Sequence, residues 1–136
     1  MFRTILAATT AVFLAQASLA EEMPNPAIED VIQSQIDAFL ADDMAAAFVH
    51  ASPNIKGIFG SPERFGMMVK QGFPMVYRPS EVEFLELREL SGALWQKVLM
   101  RDANGVYTTL DYQMVPAGDS WQINAVQIIP NPPVGA

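Results

Sequence analysis

The hydrophobic period changes once along this chain, and that change limits what it can fold into. Up to Gly72 the apolar residues recur at three- and four-residue steps. From Phe73 onward they recur at every second residue. The first spacing lines one stripe of a helix, and the second lines one face of a strand. Helical segments followed by strand segments predict an α+β domain, with the helices packed on one face of an antiparallel sheet.

Asn25-Pro26 opens the helical half, because Asn caps and Pro fits a first helical turn. Ile28, Val31, Ile32, Ile36, Phe39 and Leu40 form the apolar stripe of a first helix. Asp42-Asp43 interrupts it, and either residue can cap a second helix from Met44 to about Ala51. Ser52-Pro53-Asn54 ends that helix, and Ile55–Phe59 reads as a short apolar edge strand. Ser61 and Pro62 start a third helix with Phe65, Met68 and Val69 on its buried side, and Gly72 stops it.

Four strands are expected at Val82–Leu90, Leu94–Arg101, Val106–Val115 and Trp121–Ile129. Hairpin-type turns separate them at Ser91-Gly92, Asp102–Gly105 and Pro116–Asp119. In the first strand Val82 and Phe84 share one parity, whereas Leu85 and Leu87 share the other. The last strand switches likewise between Ile123 and Val126. A switch inside a strand predicts a β-bulge, and bulges curve sheets. Trp121 shares parity with Ile123 and is expected in the core. Pro130, Pro132 and Pro133 cannot continue a central strand, so the tail 130–136 should leave the domain.

Ahead of the helices, Arg3, an uncharged run from Thr4 and the small-x-small triplet Ser18-Leu19-Ala20 match a secretory leader cut after Ala20. The run is Ala/Thr-rich and broken by Gln16, whereas a spanning helix needs about 20 strongly apolar residues. The expected organisation is a leader at 1–20, a flexible start at 21–26, one domain at 27–129 and the tail. Cleavage would leave 136 − 20 = 116 residues and remove Arg3, making the net charge −7 − 1 = −8. So acidic a surface repels nucleic acid and anionic membranes. With no Cys and one His, thiolate and His-pair zinc sites are excluded. No calcium-loop or phosphate-loop spacing is present, so no metal or cofactor is expected. The reading is a periplasmic or secreted protein without stable membrane insertion.

Few residues could carry chemistry. His50, the one histidine, lies near the end of the second helix, where the dipole favours a cation. Val106, Thr108, Leu110, Tyr112 and Met114 should face inward, which places Tyr107, Thr109, Asp111 and Gln113 outward. Asp111 is then expected to be solvated, although a buried strand carboxylate could act as a base. Tyr77 could present its hydroxyl at a pocket rim. Arg78 is expected to pair with a surface carboxylate, and Asp42-Asp43 to cap. His50, Tyr77 and Tyr112 are the ligand-site candidates, and Tyr107 and Thr109 the candidates for an interface.

The opening Phe39-Leu40-Ala41-Asp42-Asp43 into Ala45–Ala51, and the ending Gly118-Asp119-Ser120-Trp121-Gln122-Ile123, resemble the nuclear transport factor 2-like superfamily. Ala47-Phe48, Ala51-Ser52-Pro53, Ile58–Phe65 and Pro74–Pro79 resemble domain-of-unknown-function family 4864, a group of small exported bacterial proteins. The resemblance implies a cone: three N-terminal helices packed on a curved antiparallel sheet around a pocket. Related folds commonly pair through the outer sheet, which implies a homodimer. The superfamily holds enzymes and non-catalytic binders alike, so the fold does not select a function. The leading expectation is a non-catalytic module that binds an apolar small molecule or another envelope protein. The alternative is a cofactor-free isomerase or dehydratase, which needs at least two of His50, Tyr77, Asp111 and Tyr112 in one cavity. A purely structural envelope partner is a third class.

Overall fold

The computed structural model describes residues 20–130. In chain order the elements are β1 (Ala20–Glu22), α1 (Pro26–Leu40), α2 (Met44–Val49), α3 (Pro53–Phe59), α4 (Pro62–Gly72) and α5 (Pro74–Tyr77). Then come β2 (Glu81–Leu90), β3 (Ala93–Arg101), β4 (Tyr107–Ala117) and β5 (Ser120–Ile129). The domain is α+β with an open antiparallel sheet of order β1-β2-β3-β4-β5. The number and the place of the helices both differ from expectation. The described residues hold five helices rather than three, and these lie between β1 and β2 rather than ahead of every strand.

Capping explains most boundaries. The Asn25 side chain accepts from the Ala27 and Ile28 amides at 3.0 and 3.3 Å, and Pro26 follows in the first turn. Asp43 caps α2 through the Ala46 amide at 3.0 Å. Asp42, at φ 55°, takes the left-handed turn between the two helices. Ile55–Phe59 is not a strand but most of α3. Ser52 caps it through the Ile55 amide at 3.3 Å, Pro53 sits in its first turn, and Gly60 ends it at φ 78°. Five apolar residues are too few for periodicity to separate helix from strand, so the cap decides. The same Ser-Pro pairing opens α4 at Ser61-Pro62. The short elements β1 and α5 carry no readable period. Residues 20–22, expected to be flexible from Glu21 onward, instead pair with Leu87–Glu89.

Both parity switches are bulges. Register shifts between Phe84 and Leu87, and again where Ile123 and Ala125 pair with Met114 and Gln113, leaving Asn124 as the extra residue. Each bulge strands backbone or side-chain polar groups that need partners. Gln96, only 1% exposed, donates to the Leu85 and Lys97 carbonyls at 3.0 and 2.9 Å. Asn124 donates to Gln113 at 2.9 Å and accepts from the Ser52 hydroxyl at 2.8 Å. Next to it the Ser52 amide donates to the Ile123 carbonyl, and the Ile123 amide to the His50 carbonyl, both at 2.8 Å. The α2–α3 turn is thereby fixed to the bulged part of β5.

The core joins Ile28, Ile32, Ile36 and Phe39 of α1 to Val98, Met100, Leu110, Tyr112, Met114 and Ile123 of the sheet. Burying each large aliphatic side chain contributes about 1.5–3 kcal/mol. Phe65 of α4 touches Phe39, Phe48 and Phe59 at centroid distances of 5.9, 5.4 and 5.9 Å, joining four helices through one ring cluster. Trp121 is half-buried and packs against this core from its margin rather than lying within it. Leu40, expected on the α1 stripe, is 46% exposed, whereas Gln35 is buried on that helix's inner side.

Candidate functional site

Between α3, α4, α5 and the bulged part of β5 lies a cavity of about 370 Å³. Buried Phe65, Val69, Val76 and Ile123 form its base. Phe59 and Ile55 of α3, Phe73, and Ala125 and Val126 of β5 form its walls. Exposed Asn54 and Ile58 stand at the mouth. Among the described residues, the polar side chains in the lining are Gln35, Asn54 and Asn124, and no charged side chain lines it. Local sequence accounts for this composition. One face of α4 supplies Phe65, Met68 and Val69, and Ser52 and Asn124 hold α3 beside β5.

The four residues on which acid/base chemistry would depend do not converge here. His50 is the C-cap residue of α2 and lies outside the cavity lining. Burial, followed by the Lys56 charge, holds its imidazole below the ordinary histidine pKa. Desolvation and the neighbouring cation both disfavour a charged imidazole at this position. Tyr77 belongs to a clasp. Its hydroxyl donates to Asp42 at 2.6 Å, and Arg78 donates to the same carboxylate oxygen at 2.6 Å while stacking on the Tyr77 ring at 4.1 Å. Arg78 also donates to the Phe39 carbonyl at 2.5 Å, which fastens the end of α1 to α5. The hydrogen bond from Tyr77, then that from Arg78, lowers the Asp42 pKa. Arg78 thus pairs with a carboxylate as expected. Of the two adjacent aspartates, Asp43 makes the cap and Asp42 serves the clasp.

Tyr112 faces inward and is wholly buried among Leu110, Met114 and their neighbours, without lining the cavity. Its hydroxyl has no hydrogen-bond partner among the described residues, and burial pushes its pKa up. Asp111 faces the opposite side of the sheet, as parity predicts, but it is not solvated. It is 7% exposed and receives two bonds from Arg88, at 2.9 and 2.7 Å. Arg88 reaches across β3 to cover it, and that contact is not visible in the alternation of β4. On the same face Tyr107 is 47% exposed and donates to Glu81 at 3.3 Å, while Thr109 is half-buried opposite Leu99.

Sequence reasoning missed Gln35, Asn54 and Asn124. Gln35 follows Ile28 by seven and Ile32 by three, on the phase of the buried stripe. A polar residue at a core position was the available signal. Asn124 sits at the parity switch of β5, where a bulge was expected but the polar role of its side chain was not.

Fold and cavity together define a small α+β domain with an apolar pocket between short helices and the bulged end of a sheet. The chain belongs to the family described as a domain of unknown function (DUF4864), which matches residues 21–136. A comparison with curated proteins finds no match. Among the described residues, no helix is long and apolar enough to cross a membrane.

Proposed function

We propose that this protein is a non-catalytic module that binds a small apolar ligand outside the cytoplasm, on a cone of the nuclear transport factor 2-like kind. The observation that carries this reading is the cavity. Its volume lies in the range of small-molecule sites, and its lining is apolar with a few amides. None of His50, Tyr77, Asp111 or Tyr112 lines it, so it offers no positioned acid or base. Helices on one face of a bulged sheet, with a pocket between them, support the superfamily resemblance. Export rests on the pattern from Arg3 to Ala20, most of which lies outside the described residues.

The test is a thermal-shift and saturation-transfer screen of apolar metabolites and lipids, run on protein recovered from the periplasm. A ligand at a hundred times its Kd stabilises the folded state by about 2.7 kcal/mol. An Ala125→Phe variant, which fills the cavity, should lose the shift. A shift that persists in this variant would place binding elsewhere, and no shift across the set would overturn the reading. Intact mass of the same material should begin at Glu21; a mass that includes Met1 would refute cleavage.

A further inference from the structure

The amides in the cavity lining are not equivalent. Asn124 has its oxygen engaged by Ser52 and its nitrogen by Gln113. Asn54 is exposed at the mouth, where water can satisfy it. Gln35 is 3% exposed, and its Nε2 donates to the Ala47 carbonyl at 3.2 Å. A carbonyl can only accept, so this bond fixes which way the amide points. The other terminus is then Oε1, an acceptor, and no hydrogen bond among the described residues reaches it.

Gln35 Oε1 keeps some solvent contact, so water can satisfy it, and a ligand that displaces that water leaves the acceptor unsatisfied unless it carries a donor. Among the described residues, the cavity lining also carries no charge. An ionised carboxylate or ammonium would enter without a counter-charge, which is far more costly than burying a neutral polar group. The volume of about 370 Å³ is more than twice the roughly 150 Å³ that accommodates benzene. We propose that the cavity selects a neutral amphiphile with one hydroxyl group, its apolar body against Phe65, Val69 and Val126 and its O–H donating to Gln35 Oε1. The proposal rests on the ligand-binding reading above and adds the chemical class of the ligand.

The probes are 1-octanol, its isomeric ether 1-methoxyheptane, which cannot donate, and octanoate at neutral pH. Each is titrated by NMR into the wild-type protein and into Gln35→Met. In the wild type, octanol should bind about fivefold to tenfold more tightly than the ether, and octanoate more weakly than both. Gln35→Met should remove the preference for octanol while still binding the ether, which also confirms that its cavity is intact. Equal binding of octanol and ether by the wild type overturns the donor assignment but leaves the pocket reading standing. Tightest binding of octanoate overturns the requirement for neutrality. Absence of any probe binding overturns both this proposal and the ligand reading. The wild-type comparison decides even if the variant does not fold.

Discussion

Arg88 and Asp111 meet on the side of the sheet that the helices leave uncovered, with side chains 12% and 10% exposed. Their fork-to-fork geometry satisfies both charges, so removing one partner leaves the other nearly dry and unpaired. Arg88→Met is expected to cost about 3 kcal/mol, whereas Arg88→Met with Asp111→Leu should recover most of that loss. Urea unfolding of the wild type, both single variants and the double variant measures the coupling. Strict additivity would show that the two charges act independently. Pairing also changes what Asp111 offers another copy of the chain, because a neutralised carboxylate repels its counterpart far less than a free one. The β4 alternation was enough to give the face on which Asp111 lies. Its burial depends on an arginine 23 residues away, and no local pattern encodes that reach.

Helix α3 differs from its neighbours in having no buried residue, although it supplies walls of the cavity. Its attachment depends on Ser52, which caps it, accepts the Ile55 amide and donates to Asn124 at the bulge. Ser52→Ala should cost about 1 kcal/mol as a lost cap. The loss should be local, with faster hydrogen exchange at the Lys56 and Gly60 amides and unchanged protection at Leu110 and Tyr112. Equal loss of protection throughout the domain would mean that α3 does not open by itself. This element was illegible because two local rules disagreed. An apolar run suggests a strand, whereas Ser52-Pro53 encodes a helix start that, with Asn54, equally fits the end of the preceding helix. The bulges were legible because a strand has only two phases, and a change between them is visible in residue order alone. The cavity was only half legible. The aromatic and aliphatic residues of α4 could be read from their spacing, but their meeting with Gln35 of α1 and Asn124 of β5 is a tertiary contact that no local pattern encodes.

For the molecule as a whole, acidity determines how stability responds to pH. The His50 pKa is lowered in the folded state, so as pH falls below the ordinary value of about 6.5 the unfolded chain takes up the proton first and stability declines. Asp42 is lowered mainly by Tyr77, and Glu86 mainly by its bond from Lys97. Their contributions are present above the ordinary carboxylate range of about 4 and disappear as pH falls through their lowered values. The urea midpoint between pH 7 and pH 3 should therefore fall in two stages. His50→Gln should remove the upper stage, and Asp42→Asn should soften the lower. A midpoint flat down to pH 4 would assign no role to His50. The sheet itself holds a further consequence for the order of folding. Strands β2 to β5 form a meander of neighbours joined by short turns, whereas β1 pairs Glu22 with Leu87, 87 − 22 = 65 residues away, with every described helix in between. Closing so long a loop for three residues of pairing gains little until both ends are already in place. The first strand is thus the last to arrive, and until it does the Leu87–Glu89 edge of β2 stays open to pairing with another chain.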